Sequence, residues 1–214
     1  MTDIVIEIIK RPGCRLIRLE GGSSFKVPYA LFMSKPLKVG DALEPEAYRQ
    51  FMGAIENRVA LEQAARMLEM RDQSVAGLTE KLSSYGYSPA AAQYAAGRLT
   101  KAGYLDDRRY ADSLIMRYSL KYGAFRIRQE LARKGIQREL ILELMAQQDQ
   151  GAALQAALKL VKKSMRNKAG DPRALHRKIF AALARRGFSP DIINQALSQS
   201  MDVHDSEDDS SGDA

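Results

Sequence analysis

Three times along this chain an apolar stripe spaced at i and i+4 runs into a glycine. Leu78 and Leu82 precede Gly86, Ile127 and Leu131 precede Gly135, and Ile179 and Leu183 precede Gly187. That spacing puts each pair on one helical face. A glycine just past the stripe supplies the left-handed residue with which helices commonly end. The glycines lie 49 and 52 residues apart, the period of small helical modules stacked in a row. A second helix follows each stop: Ser88-Pro89 and Ser189-Pro190 read as N-cap plus proline at the first helical position. Apolar residues resume beyond Gly135 at Ile136, Leu140, Ile141 and Leu144, and beyond Gly187 at Phe188, Ile192, Ile193 and Leu197. A longer helix leads each module, through Leu61, Ala65 and Leu68, through Ala111, Ile115, Tyr118 and Tyr122, and through Leu154, Leu158, Val161 and Met165. Asp106 and Asp171-Pro172 supply further helix starts.

The front of the chain has a different period. Ile4, Ile6 and Ile8 alternate with Val5, Glu7 and Ile9; Arg15–Leu19 resumes after Pro12-Gly13, and Ser24–Val27 follows Gly21-Gly22. This predicts three short strands joined by turns. A passage through Pro36, Gly40 and Pro45 leads to a helix near Glu46–Met52. The expected fold is therefore mainly α: three tandem three-helix repeats behind a small β-rich N-terminal domain. The expected boundaries are residues 1–56 for that domain, 57–104, 105–148 and 149–201 for the repeats, and 202–214 for a disordered acidic tail.

Composition changes the picture in two ways. A single cysteine, Cys14, rules out an internal disulfide and, with no basic leader and no long apolar run, points to the cytoplasm. Charge points to a polyanion. Six acids and no Lys or Arg follow Met201, so the net charge of +7 over the whole chain becomes +13 for residues 1–201 once those six are set aside. Nine basic residues face two acids between Arg108 and Arg138, and ten face one between Lys159 and Arg186. Arg133-Lys134 and Arg185-Arg186 both precede a helix-stopping glycine, while Arg126, Arg128, Arg177 and Lys178 flank Ile127 and Ile179. Repetition in register would make a basic stripe for phosphates, and these eight residues are the expected DNA or filament contacts.

Gly103-Tyr104-Leu105-Asp106-Asp107-Arg108-Arg109-Tyr110-Ala111 resembles the RecX family, bacterial regulators of the RecA recombinase. The resemblance continues at Arg71-Asp72-Gln73-Ser74, Leu78 and Lys81-Leu82, and at Tyr122-Gly123, Ile127, Glu130-Leu131 and Lys134-Gly135-Ile136. It is strong over about residues 57–146 and carried more by pattern in the third repeat. Gly21 and Leu37–Leu43 resemble the β-rich extension of longer members. The resemblance implies a non-enzymatic modulator, acting as a monomer, that lies in the groove of the RecA filament and restrains its recombinase, ATPase and coprotease activities in DNA repair, recombination and the SOS response. The implied partners are the RecA filament and single-stranded DNA, with duplex DNA as a further one, and no membrane. The alternative is a sequence-nonspecific DNA-binding protein with no dedicated RecA contact.

The remaining residues favour structural roles. Asp106 and Asp107 diverge by about 100° on a helix and lack companion ligands, so capping is expected of them rather than metal binding. Gly103, Tyr104, Leu105, Tyr110, Ala111 and Gly135 are likewise expected to be mainly structural. His176 sits among basic residues and His204 in the tail, neither with a metal-binding partner at useful spacing. No nucleotide loop G-x-x-x-x-G-K-[ST] occurs. No catalytic residue, metal or cofactor is expected, which sets a nuclease low, and the mainly apolar and small residues of the short helices argue against a helix-turn-helix repressor. Seven of the nine tyrosines fall between Tyr85 and Tyr122. Packing is expected of most, with Tyr85 exposed because it stands where the other repeats place Lys134 and Arg186.

Overall fold

The computed structural model describes residues 2–165 and 172–208, apart from the side chains of residues 150, 172 and 201–208. It divides into two compact units, residues 1–107 and 108–214.

The first unit opens with strands β1 (Asp3–Arg11), β2 (Cys14–Leu19) and β3 (Ser24–Pro28), followed by helix α1 (Tyr29–Ser34) and the short β4 (Ala42–Leu43). The antiparallel sheet has the order β3-β2-β1-β4. The alternation along β1 is interrupted between Val5 and Glu7, where pairing with β2 shifts register. This bulge re-phases the strand. Val5 is fully buried and Ile8 packs on the same core, while Ile4 and Ile6 remain exposed.

Helix α2 (Pro45–Met70) runs unbroken through the expected domain boundary at residue 56. Its first turns give Tyr48 and Met52, and its later turns Val59, Ala60, Ala64 and Met67, to one core shared by the sheet and the first repeat. That repeat is completed by α3 (Val75–Ser84) and α4 (Pro89–Lys101). The β-rich segment and the first repeat thus share a core, for a physical reason: one helix packs against both.

The second unit carries the other two repeats, α5 (Asp107–Ser119), α6 (Ala124–Arg133) and α7 (Arg138–Ala146), then α8 (Gln150–Met165), α9 (Pro172–Arg185) and α10 (Pro190–Asp208). Each has its own cluster, around Leu114, Ile127 and Leu131 in one and Val161, Ile179, Leu183 and Ile193 in the other. The backbone of α10 is helical as far as Asp208, so the first part of the acidic stretch expected to be disordered is helical. Residues 209–214 and Asp171, the proposed cap of α9, lie outside the described residues.

The glycine stops have one geometry. Gly86, Gly103, Gly135 and Gly187 take φ between 76° and 93°. In each, the residue after glycine donates its N–H to a carbonyl five residues back: Tyr87 to Leu82, Tyr104 to Leu99, Ile136 to Leu131 and Phe188 to Leu183. This satisfies carbonyls that a helix end would otherwise leave open.

Candidate nucleic-acid interface

The basic residues of the second unit sit on α6 and α9, whose sequences align with an offset of 52 through Ile127/Ile179 and Leu131/Leu183. On that alignment Arg126 matches Lys178, Arg133 matches Arg185 and Lys134 matches Arg186. Arg128 matches Phe180, and Arg177 matches Phe125. The recurrence therefore holds for three pairs, and Arg128 and Arg177 are additions particular to one repeat.

The decisive difference lies at the next position on the same flank, where α6 has Glu130 and α9 has Ala182. Glu130 is buried. Arg126, one turn before it, pairs at 2.8 Å, and Arg133, one turn after, at 2.6 Å through a guanidinium that also donates from Nε at 2.9 Å. Hydrogen bonding from Arg133 holds the Glu130 carboxyl below its ordinary range against the opposing effect of burial, and the charges of Arg133, Arg126 and Lys134 pull the same way. The same interaction raises the pKa of Arg133. Two of the expected DNA contacts in the second repeat are thus committed to an internal carboxylate, and Lys134 feels it too. In the third repeat, Arg177, Lys178, Arg185 and Arg186 are exposed and make no ion pair among the described residues. Lys178 and Arg185 are seven residues apart, on one face of α9. The expected contacts that make no ion pair are therefore weighted toward the third repeat, with Arg128 exposed on α6.

A backbone clasp sets these two helices against each other. Gly123, the N-cap of α6, has no capping side chain. Instead its N–H donates to the Arg186 carbonyl at 2.9 Å, and the Phe125 N–H donates to the Gly187 carbonyl at 3.2 Å. Carbonyls from the turn after α9 thus satisfy open N–H groups at the start of α6. A β-carbon at Gly123 would overlap the Gly187 carbonyl, and one at Gly187 would overlap the Arg126 backbone. The sequence marks Gly187 as a helix stop but does not mark Gly123 as its partner; the available signal was a helix start without Ser, Thr, Asp or Asn.

The Gly103–Ala111 segment anchors in the cores through Leu105, Tyr110 and Ala111, while Tyr104 stays exposed. Leu105 is buried in the first unit, Ala111 is fully buried in the second, and Tyr110 packs beside it. Asp106 stands immediately before α5. Asp107, half-buried, accepts the Val75 N–H at 2.8 Å at the start of α3, whose N-cap Ser74 accepts from Gly77. Burial raises the Asp107 pKa despite that hydrogen bond, with the charge of Asp106 adding to the rise. Ser88 caps α4 by accepting from Ala91 and is itself held by Glu56, which accepts from its N–H and hydroxyl at 2.7 and 2.8 Å.

Of the tyrosines, Tyr87 is buried and Tyr110, Tyr118 and Tyr122 pack on the second repeat's core, while Tyr94 and Tyr104 are exposed. The Tyr85 expectation is corrected: its ring is half-buried, set directly against Gly13, because glycine there leaves room that a β-carbon would fill. Cys14 is buried and free. Among the described residues there is no cluster of His, Cys, Asp and Glu fit for a metal, and no helix long and apolar enough to cross a membrane.

Comparison with known proteins fits the second and third repeats of this architecture. Residues 106–145 match the model for the second three-helix domain of RecX, and residues 152–197 that for the third. The Regulatory protein RecX of Trichlorobacter lovleyi is 36% identical over 138 residues, covering 62% of this chain and 89% of the relative. That of Stenotrophomonas maltophilia is 36% identical over 137 residues, covering 64% and 83%. The Clostridium beijerinckii protein aligns over 92% of this chain and 95% of its own length at 25% identity. In fold, the chain is similar to a crystal structure of regulatory protein RecX with TM-score 0.60 at 23% identity, covering 92% of this chain and 99% of that one. The crystal structure of RecX from Lactobacillus salivarius gives 0.63 at 21%, covering 70% and 99%. With two repeats matched by the family's own domain models and relatives aligned over most of their length, this chain belongs to the RecX family of regulatory proteins.

Proposed function

We propose that this chain binds the RecA nucleoprotein filament and inhibits its recombinase, ATPase and coprotease activities, contacting filament DNA chiefly through Arg177, Lys178, Arg185 and Arg186. Membership of a family of regulatory proteins supports the regulatory role. The observation that carries the DNA contact is the replacement of Glu130 by Ala182 at the matching position, which leaves the third repeat's cations without an internal acid. A succession of repeats along the chain suits an extended partner, and uncompensated cations suit phosphates.

The test is RecA ATPase on single-stranded DNA with and without this protein at fixed salt. Inhibition at substoichiometric or near-stoichiometric amounts supports filament regulation. The same exposed cations would also serve a DNA binder with no RecA contact, and that reading expects inhibition only when the protein covers the DNA lattice.

A further inference from the structure

The end of the β1–β2 hairpin gathers chemistry that the second unit's cations do not explain. Lys10 pairs with Arg15 across the hairpin and Arg11 with Cys14, so three cations share one end of the sheet. Lys10 and Arg11 are exposed, and none of the three makes an ion pair among the described residues. The Arg15 guanidinium lies over the Tyr29 ring at 4.5 Å. Tyr29 is 45% exposed although its backbone is anchored, its N–H donating to the Gly13 carbonyl at 2.8 Å. On Gly13 rests the ring of Tyr85, with the Lys81 ammonium 5.0 Å from its centroid. The hairpin turn thus has a tyrosine held against it by each of two independent contacts, each ring accompanied by a cation.

We propose that this hairpin end is a single-stranded DNA contact, with Lys10, Arg11 and Arg15 taking backbone phosphates and Tyr29 stacking on an unpaired base. Cations alone would suit any acidic surface. A ring fixed by its backbone, backed by a guanidinium and open to solvent adds what an unstacked base requires, a rigid aromatic platform beside positive charge. An acidic protein surface has no comparable use for the ring, and duplex DNA offers its bases already stacked. The contact is separate from the RecA reading, since it needs bare DNA only.

The experiment titrates the full chain against labelled oligothymidylate and against a duplex of equal length, at low fixed salt and without RecA. Tyr29→Ala should weaken oligothymidylate binding about fivefold or more, leave duplex binding unchanged, and be rescued by Tyr29→Phe. Lys10→Glu with Arg11→Glu, on exposed hairpin residues where folding is not at stake, should reduce the salt slope by about 0.7 for each phosphate no longer neutralised. Wild-type affinity for oligothymidylate in both variants overturns the proposal, as does an equal weakening on duplex in Tyr29→Ala. If the wild-type chain fails to inhibit RecA while these variants lose single-strand binding, the regulatory reading falls and this one stands.

Discussion

Glu130 decides how much of the second repeat's charge is available to a partner. Its carboxylate draws in Arg126 and Arg133, and a buried carboxylate so placed is stabilised only while it is ionised. Because its folded pKa lies below the ordinary value, its contribution to stability is full above the unfolded pKa and is lost as pH falls through the folded one. Glu130→Gln should therefore lower the melting temperature at neutral pH, yet strengthen binding to single-stranded DNA by releasing both arginines; a salt slope steeper by about 0.7 would mark one added phosphate contact. Melting and salt-dependent anisotropy on the same variant check both halves. Asp107 has the opposite sign. Its folded pKa is raised, so its contribution is full below the unfolded pKa and is lost as pH rises through the folded one. Asp107→Asn keeps an oxygen for the Val75 N–H without the buried charge and should be at least as stable as the parent at neutral pH, whereas Asp107→Ala should cost about 1 kcal/mol. Paired melts at acid and neutral pH distinguish them. The Arg126-Glu130-Arg133 spacing was legible in the sequence as i, i+4 and i+3 neighbours. A count of basic against acidic residues hides it, because one acid placed between two arginines matters more than its share of the total.

Among the elements, the glycine stops were the most legible feature, because positive φ is a local demand that one residue type meets. What the sequence does not reveal is their second use. Gly187 closes on Gly123 and the start of α6, and Gly86 closes on Lys26 of β3, so in both units a turn that ends a helix is also a close backbone approach to the preceding structure. Such approaches join residues far apart in the chain and leave no periodic trace. Gly135→Val should cost on the order of 1–2 kcal/mol, from the left-handed backbone alone. Gly123→Ala keeps an ordinary backbone conformation but forces the clasp apart, with an overpacking cost of about 1–3 kcal/mol. Thermal melting beside DNA affinity reads the consequence: Gly123→Ala should lose more affinity than its loss of fold accounts for, since the clasp sets α9 against α6. The unbroken α2 shows the other limit of sequence reading. Its apolar positions drift around the helix, from Tyr48 and Met52 toward Ala60 and Ala64, because its two ends serve different neighbours of one core. Gly53, with no neighbour near its missing side chain, adds a local break in the pattern without a break in the helix.

Across the whole molecule, charge is separated along the chain more sharply than its net value indicates. Residues 1–201 carry the surplus, and the six acids after Met201 oppose it. The sequence shows this division directly; it does not show that the third repeat, adjoining the tail in the chain, holds the cations left without an internal acid. If Arg177, Lys178, Arg185 and Arg186 each neutralise one phosphate, the third repeat should contribute about −3 to the logarithmic salt slope for single-stranded DNA, at roughly 0.7 per phosphate. A tethered acidic segment competes with DNA for such cations at high effective concentration, however weak each interaction is. Truncation after Met201 should therefore raise affinity for bare single-stranded DNA at low salt. The gain should shrink as salt rises, since the screening length falls to about 3 Å at 1 M. Helical content should fall by no more than the last turns of α10, Asp202 to Asp208. Anisotropy titrations of the two proteins across a salt series, with circular dichroism beside them, separate the cases. Equal or lower affinity in the truncated chain would assign the tail another role, and a gain that persists at high salt would mean it blocks the surface by occupying space rather than by charge.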